Sequence, residues 1–578
     1  MFSPIPEQDE SASDPPPPLS RTRRFISCLS RWVSETYAKC TSMKAVMTIF
    51  SSIAIGLYGY DQGMMSLVNT NKSYLRTMAI AEDSPFVGII VSIYYIGCLF
   101  GSIVASYIAD KRGRKAAIRV CLWTSVLGDI LMSIPGIYPF NSDNPWGGGS
   151  IILMIVGRVV LGLGIGGIDA VIPIYSSELS KNDARGSTMA KEFQANILGL
   201  LAAFGLNLLL TYKWGKESQL AWRFPIVAML IFPIVLLLIV RGLPESPRWF
   251  ISRGRSDDAH NVLITLHGET EAEHKLDELT KAQQEETAHR IGYYDMIWVN
   301  GSQFHPTMIT VMGQINQALT GYGAVSVYGP QIFELLGFPV REAEFWTLGN
   351  YAFYAFMMFG AWLLIDRVGR RRLMLVGSVG LSTFYFVLTI LGSQSVTEKS
   401  DTLDSWVPAL GIATLYASTA TFGICWLTTV WLIPTEIYPN YARATGSSIS
   451  VIIWGLSNFV VTLLTPIGFN NLKHWLFLVF TITNIVAGVL TWLLSPETGG
   501  RSFEENEKFF ALAKEDGTWL VRNVAGGKYR DMPRNEDSHE DVDVENPEVE
   551  DAKGDNTRGE NTQATPSETT PLLGARIE

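Results

Sequence analysis

Charged residues are scarce in this chain. Asp, Glu, Lys and Arg together make up 17% of the 578 residues, whereas 47% are hydrophobic. Soluble globular proteins carry about 25% charged residues, so a soluble fold is disfavoured. Cysteine is also rare, and the five that occur are scattered without the spacing of a disulfide or metal framework.

Signatures of enzymes are missing as well. The sequence contains no nucleophile–base constellation and no phosphate-binding loop. The glycine-rich stretch 162–167 lies inside a long apolar run, where small residues favour close packing of helices rather than nucleotide binding. We therefore predict a protein that is not an enzyme and that uses no cofactor, metal ion or nucleic-acid partner.

Long hydrophobic runs dominate instead. Twelve stretches of roughly 20 residues are apolar enough to cross about 30 Å of hydrocarbon. They are residues 46–68, 86–109, 116–136, 151–173, 188–212, 221–242, 307–333, 345–365, 373–393, 407–433, 444–468 and 474–495. The sequence therefore predicts an all-α membrane protein with twelve transmembrane helices.

Charged signatures between these runs occur twice, about 255 residues apart. Asp110 to Lys115 returns as Asp366 to Arg371, and a Glu followed seven residues later by Arg occurs at Glu178 and again at Glu436. Parallel repeats of this kind are found in secondary transporters, so we predict two pseudo-symmetric six-helix halves. The predicted segments are a cytosolic tail (1–44), a first half (45–250), a linker with short cytosolic helices (251–305), a second half (306–513) and a disordered acidic tail (514–578).

Basic residues predict the orientation. They cluster in the loops at 111–119 and 367–372, while 137–150 contains none. The positive-inside rule places such loops in the cytosol, and both termini with them. Residues 1–44 are polar and proline-rich and then basic, so we expect no cleavable signal peptide before the first run. We expect the plasma membrane, with the vacuolar membrane as the alternative.

Two short motifs concern processing rather than transport. Asn71 begins an Asn-Lys-Ser sequence in the first outer loop, where glycosylation is predicted. Near the end of the acidic tail, Glu568, Leu572 and Leu573 match an acidic dileucine signal for a sorting adaptor.

Several short motifs appear in a fixed order. They are Gly59 to Gly63, Asp110 to Lys115, Gly157-Arg158, Pro173 to Glu178, Pro244 to Trp249, Asp366 to Arg371, Glu436 to Pro439 and Pro496 to Arg501. With these motifs, residues 45–510 resemble the sugar porter branch of the major facilitator superfamily, and within it the fungal members. The resemblance implies a central cavity between the halves and transport by alternating access.

Opposite charges at equal depth predict an ion pair. Asp61 lies seven residues before the outer end of the first run, and Arg158 lies seven residues after the outer end of the fourth, so both are about 10 Å deep. Charged residues inside the membrane are costly and are functional candidates by default. In the family that the chain resembles, proton-coupled members carry an acid at the Asp61 position. We predict proton coupling through this pair, with a static structural pair as the alternative.

Two further acids lie in apolar runs. Asp129 has no obvious partner, and we expect a water-lined or interfacial position for it. Asp169 lies three helical turns after Arg158, where a second gate or a proton relay is an alternative role.

The resemblance also implies a substrate site, although the chain departs from the family pattern there. Ala318 and Gly323 stand where the family has Gln and Asn in the seventh helix. Expected ligand contacts are Gln194, Gln317, Trp431 and Asn458, with Gln314 as a compensating contact and Tyr328 as an outer-gate aromatic residue. For Gln314, a hydrogen bond between helices is the alternative.

Charged side chains at the cytosolic helix ends predict a gate. Opposite charges there can bridge helices while the gate is closed and separate when it opens; helix capping is the alternative. The predicted gate residues are Asp110, Arg114, Glu178, Arg185, Glu245, Asp366, Arg370, Glu436 and Arg443.

Taken together, these features predict a symporter that moves protons and a sugar, polyol or related neutral solute across a lipid bilayer. One alternative is a nutrient receptor of the same fold that transports weakly or not at all. Another is a transporter of a non-sugar substrate such as an organic acid. An anionic substrate would require a cation facing the cavity, and apart from Arg158 the sequence suggests none.

Overall fold

The computed structural model describes residues 43–81, 84–137, 148–179, 185–288, 292–298, 301–397, 406–499, 503–515 and 519–521. Within this part of the chain the regular elements are helices. Those of the first half are α1 (Met43–Val68), α2 (Lys72–Met78), α3 (Pro85–Arg112), α4 (Arg114–Ser133), α5 (Gly148–Leu179), α6 (Arg185–Trp214), α7 (Gln219–Met229) and α8 (Ile231–Gly242).

Short helices follow, and then the second half. The linker helices are α9 (Pro247–Ser252), α10 (Ser256–His267), α11 (Glu269–Ala288) and α12 (Tyr293–Ile297). The remaining helices are α13 (Phe304–Leu319), α14 (Tyr322–Val327), α15 (Gly329–Leu335), α16 (Val340–Val368), α17 (Arg370–Thr397), α18 (Trp406–Phe422), α19 (Thr428–Ile437), α20 (Asn440–Leu472), α21 (Trp475–Leu494) and α22 (Phe503–Glu515).

Ten helical segments of the described chain are long and apolar enough to cross a membrane. Two of them join consecutive helices, α7 with α8 and α18 with α19. The other two predicted runs correspond to α1, which is 26 residues long, and to the series α13–α15. The predicted all-α architecture with its transmembrane helices is confirmed.

The seventh run differs from the continuous helix that the sequence predicts. Gly321 has a left-handed backbone with φ of 83°, and a Cβ there would lie 2.6 Å from the ring of Phe480. Such a conformation is accessible mainly to glycine. Helix α13 therefore ends before Gly321, and a second break follows at Tyr328, where α15 begins with Pro330 in its first turn.

Glycine packs the first half tightly. A Cβ at Gly162 of α5 would lie 2.2 Å from the carbonyl oxygen of Tyr94 in α3, and one at Gly101 of α3 would lie 2.2 Å from that of Leu163. The packing role predicted for the glycine-rich stretch is confirmed. These contacts fix α3 and α5 side by side and so determine where Arg158 lies.

A turn of π-helix, Gly423–Leu427, separates α18 from α19. Turns of this kind change the pairing of backbone carbonyls and are frequent at functional sites. Here the carbonyl oxygens of Trp426 and Leu427 accept hydrogen bonds from the side chain of Gln317 in α13. The irregular turn therefore ties the broken seventh segment to the tenth.

Candidate functional site

The core of the first half contains a buried ion pair. Arg158 of α5 approaches Asp61 of α1, with Nη1 and Oδ1 2.5 Å apart, and each side chain is only 2% exposed. The guanidinium also donates from Nε to the carbonyl oxygen of Ile90 at 3.2 Å and from Nη2 to that of Val91 at 3.3 Å. The Cζ atom of Arg158 lies 4.7 Å from the centroid of the Tyr94 ring. Helix α3 thus supplies the rest of the guanidinium's surroundings.

This pair can respond to one proton. Moving a charge into hydrocarbon is costly, and removing one partner of a buried pair leaves the other uncompensated. Protonation of Asp61 would neutralise the carboxylate and leave Arg158 charged, which changes the energy of the surrounding helices. The arrangement is therefore chemically suited to couple proton binding to a rearrangement.

A cavity lies between the two halves. Its walls come from α1, α5 and α6 on one side and from α19 and α20 on the other, and it encloses about 1260 Å³ including its open mouth. Thr188, Thr435 and Ser447 of the lining belong to helix turns that adjoin the charged repeat motifs. We call this end of the bundle the motif end, and the cavity lies in that part of the molecule.

Aromatic side chains from both halves close the cavity on the side away from the motif end. The ring centroids of Tyr58 and Trp454 are 5.3 Å apart, those of Trp431 and Trp454 are 5.6 Å apart, and those of Phe193 and Trp431 are 5.8 Å apart. Tyr58, Phe193 and Trp431 also line the cavity. Such rings can stack on the apolar faces of a solute.

Of the six residues expected to contact substrate, Trp431 lines this cavity. The other five are buried and hydrogen-bonded within the protein. Gln317 donates to the two carbonyls of the π-turn, and Asn458 donates to the carbonyl oxygen of Trp454 at 2.9 Å. A Cβ at Gly323 would lie 3.5 Å from the side-chain oxygen of Asn458, so the two positions face each other.

The remaining three expected contacts also bind protein groups. Gln314 donates to the Ser450 hydroxyl at 2.7 Å, which is the helix-to-helix bond given above as its alternative. Gln194 of the first half donates to the Ala355 carbonyl oxygen of the second at 3.1 Å. Tyr328 donates to the carbonyl oxygen of Thr462 at 3.4 Å. In this structure these amides link helices and do not face the open cavity.

Charged residues that sequence reasoning did not place at the site line the cavity instead. Asp169, Glu192 and Arg443 all contribute to its walls. Glu192 is 4% exposed and accepts a hydrogen bond from Ser176 at 3.5 Å. A charge inside an apolar run is the signal that singled out Asp61, and the same signal at Glu192 within 188–212 would have found it.

The expectation that no cation apart from Arg158 faces the cavity is wrong. Arg158 is enclosed by α1 and α3 and does not line the cavity, whereas Arg443, predicted as a gate residue, does. Helix α20 starts beside the cavity mouth, so a side chain in its first turn reaches the wall. Sequence spacing could not show this because it does not give the rotation of the helix.

Charged clusters at the motif end are duplicated. In the first half, Arg114 lies 3.2 Å from both Glu178 and Asp110, and its backbone N–H donates to Glu245 at 2.9 Å. Burial raises the pKa of Glu245, against the effect of this and neighbouring N–H donors. The carboxylates and the guanidinium join helix ends within one half.

In the second half, Arg370 lies 2.6 Å from Glu436 and 3.0 Å from Asp366. Its backbone N–H donates to Glu497 at 2.7 Å, so Glu497 corresponds to Glu245 and completes the cluster. Asp366 also accepts a hydrogen bond from the backbone N–H of Ser187 at 3.1 Å, which crosses between the halves. The side chain of Arg185, another predicted gate residue, lies outside the described part.

Contacts between the halves also close the opposite end. Lys216 Nζ lies 2.6 Å from Glu344 Oε1, and Glu344 is 5% exposed. The guanidinium of Arg341 lies 5.2 Å from the centroid of the Tyr212 ring. We call these four residues the clasp. These contacts link the two halves at the end opposite the motif end.

Comparison with known proteins identifies the family. The family model described as "Sugar (and other) transporter" matches residues 45–510. The chain is 30% identical over 478 residues to the MFS-type transporter oryC of Aspergillus oryzae, covering 80% of this chain and 85% of that protein. It is 29% identical over 549 residues to the sugar transporter STL1 of Saccharomyces cerevisiae, covering 90% and 92%.

Bacterial proteins are similar as well. The arabinose-proton symporter of Bacillus subtilis is 27% identical over 481 residues, covering 81% of this chain and 96% of that protein. Among solved structures, the proton:xylose symporter XylE bound to 6-bromo-6-deoxy-D-glucose superposes with a TM-score of 0.69 at 23% identity, covering 81% of this chain and 99% of XylE. A partially occluded inward-open XylE from E. coli gives 0.67 at 21% identity, covering 80% and 100%.

The solved structures share the fold, and the family match spans most of the chain. The resemblance to the sugar porters and the predicted fold class are thereby confirmed. The chain belongs to the sugar (and other) transporter family of the major facilitator superfamily, and it is a multi-pass integral membrane protein.

Proposed function

We propose that the protein is a proton-coupled symporter that moves a sugar, a polyol or a related neutral solute by alternating access. The observation that carries this proposal is the buried contact between Asp61 and Arg158. Both side chains of the pair are only 2% exposed. Such a pair contributes little to the stability of the fold, because the desolvation of buried charges offsets much of their attraction. Because one proton can neutralise the Asp61 carboxylate, the pair can couple proton binding to transport.

Neutral chemistry at the site supports the substrate class. Trp431 of the second half lines the cavity, and the buried amides of Gln317 and Asn458, which bond to protein carbonyls in this structure, would meet a solute when the helices rearrange. Amides and rings suit hydroxyl-rich solutes, since they offer hydrogen bonds and flat apolar surfaces without charge. The names of two relatives, a sugar transporter and an arabinose-proton symporter, point the same way.

One cation in the cavity wall favours an organic acid as the substrate, and two carboxyl groups there disfavour it. Arg443 lines the cavity and could attract an anion, but the carboxyl groups of Asp169 and Glu192 line it too. An anionic solute would have to approach both acids. The neutral substrate therefore remains the better proposal.

Basic residues at the motif end support a cytosolic location for it under the positive-inside rule. The cavity then faces the cytosol while the clasp closes the outside. Both termini would be cytosolic, in the plasma membrane or alternatively the vacuolar membrane. Residues Glu568, Leu572 and Leu573 of the proposed sorting signal lie outside the described residues.

Uptake by purified protein in liposomes tests the proposal. A panel of radiolabelled sugars, polyols and organic acids is measured at two pH values, with and without an inward proton gradient. We expect uphill accumulation of a neutral solute that requires the gradient. Accumulation of acids alone, or uptake indifferent to the gradient, would overturn it.

The matched variants are Asp61→Asn, and Asp257→Asn in the linker, where the acid is exposed. We expect Asp61→Asn to lose gradient-driven accumulation while keeping solute exchange. We expect Asp257→Asn to behave as the wild type.

A further inference from the structure

The carboxyl group of Asp129 lies near the ion pair of Asp61 and Arg158, and the proposed mechanism gives it no role. Asp129 of α4 is 0% exposed, and neither of its side-chain oxygens has a hydrogen-bond partner. The expected water-lined or interfacial position is therefore wrong. An ionised carboxylate enclosed in this way is strongly disfavoured, so burial favours the neutral, protonated form of Asp129, whereas the contact with Arg158 favours the ionised form of Asp61.

The crossing of α4 and α5 puts Asp129 on the same flank as Arg158. A Cβ at Gly128 would lie 2.5 Å from the backbone nitrogen of Leu161, and one at Gly157 would lie 3.3 Å from the carbonyl oxygen of Gly128. Gly128 and Gly157 thus touch at the crossing. Because consecutive spans run antiparallel, the next residue along each helix turns toward the same side. Those residues are Asp129 and Arg158.

Electrostatics are consistent with this placement. Asp129 lies within electrostatic range of Asp61, Arg158 and Tyr60. Among other groups on helices packed against α4, Tyr94 of α3 faces the guanidinium of Arg158. Arg223 of α7 donates to the carbonyl oxygens of Ser133, the last residue of α4, and of Pro135 just after it, and α8 carries Arg241 in its last turn.

Charge balance then gives Asp129 a role. If Asp61 alone took up a proton, Arg158 would become a buried cation without a counter-ion, which is strongly unfavourable. We propose that Asp129 is a second proton-binding residue and that one proton is shared between its carboxyl group and that of Asp61. As a proton from solution forms an O–H bond at Asp61, the O–H bond at Asp129 breaks and its proton is released toward the other side of the membrane, so the two acids and Arg158 together stay neutral. The role of Asp129 in transport rests on the proposed proton coupling. The melting experiment that tests the sharing of the proton does not depend on transport.

Thermal melting of the purified protein tests the sharing without any transport. We expect Asp129→Asn to melt close to the wild type, because the residue is already neutral. Asp61→Asn should fold, since Asp129 becomes the partner of Arg158. The double variant should lose far more stability than the two single losses combined, because Arg158 then has no counter-ion.

Adding Arg158→Met to the double variant should restore much of the loss, which separates an unpaired charge from poor packing. Ser125→Ala is the matched control in α4, since its hydroxyl bonds only a carbonyl of its own helix. Additive losses in the double variant, or no recovery in the triple variant, would overturn the inference.

The pH profile of uptake supplies the second readout. In Asp129→Asn, protonated Asp61 would leave Arg158 unpaired, so protonation becomes harder and needs more acid. We expect half-maximal uptake to move to lower pH by at least about one unit, a tenfold higher proton concentration. Asp129→Glu should restore the wild-type profile.

An unchanged profile in Asp129→Asn would contradict the inference. Its failure is distinct from failure of the proposed function. If wild-type uptake ignores the proton gradient, symport is refuted, yet the melting cycle still decides whether the two acids share Arg158.

Discussion

The two halves match at the motif end and diverge in their interiors. Arg114 with Glu178 and Glu245 has the same connections as Arg370 with Glu436 and Glu497. Inside, the first half buries the charged residues Asp61, Asp129 and Arg158 as well as amides, whereas the described middle of the second half buries amides without a charged side chain. These amides are Gln314, Gln317, Asn316, Asn350, Asn458 and Asn484.

This difference separates two tasks. Under the proposed alternating access, helix ends in both halves would be held together in the same way while the halves move, so the same cluster would serve twice. The interiors face different chemistry: groups that change charge suit a proton, and groups that keep a fixed, neutral set of donors and acceptors suit a hydroxyl-rich solute. The following variants test whether that division holds.

The largest expected effect is on the charged interior. Arg158→Met would leave Asp61 ionised and unpaired or force its protonation, so we expect a loss of about 3–5 kcal/mol in the free energy of unfolding. Thermal melting in detergent measures it. Gln317→Met, in the uncharged interior of the second half, should cost less because no charge is left without a partner. Equal losses would break the comparison.

The motif-end clusters should respond alike. Arg114→Ala and Arg370→Ala each remove a largely buried guanidinium from two carboxylates. We expect each to cost about 2 kcal/mol, between exposed and fully buried pairs. Melting of both variants side by side checks this. A large loss in one half with none in the other would show that the duplicated clusters have different roles.

A gain is expected in the neutral interior. Gly323→Asn places a new amide beside Asn458 at a position where a Cβ meets only ordinary contact. One added hydrogen bond contributes about 0.5–1.5 kcal/mol, so hexose affinity should rise by roughly 2- to 13-fold. Competition between labelled and unlabelled hexose measures it. Weaker binding would indicate a cavity shaped for another solute.

The smallest effect concerns the clasp. Lys216 is partly exposed, and pairs of that kind contribute up to about 1 kcal/mol. Lys216→Met should therefore favour opening of that end by a few-fold, measured by labelling of a cysteine placed there. The exchanged pair, Lys216→Glu with Glu344→Lys, should restore closure. If the introduced cysteine is labelled in the exchanged pair as fast as in Lys216→Met, attraction between the two charges does not hold the clasp closed.

Sequence reasoning located the charged features well because charge in an apolar run is rare and costly. It found Asp61, Arg158 and the repeated clusters from spacing and depth alone. It also found the helices, since each run has the length that a membrane requires. The broken seventh segment was missed because a glycine can either pack or bend, and only the ring of Phe480 against Gly321 decides which.

The partners of buried polar residues depend on tertiary contacts, which the sequence does not show. Polar residues such as Gln314 and Gln194 can bind a solute or another helix, and their partners Ser450 and Ala355 are distant in the chain. The surroundings of Asp129 likewise depend on the crossing of α4 and α5. Spacing gives the depth of a residue but not which neighbours enclose it.

Proton movement driven by solute is the most direct test of the account. Weakly buffered liposomes containing the protein are given the transported solute, and the external pH is recorded. The account predicts alkalinisation outside for the wild type and none for Asp61→Asn, although that variant still exchanges solute. Alkalinisation that persists in Asp61→Asn would contradict it.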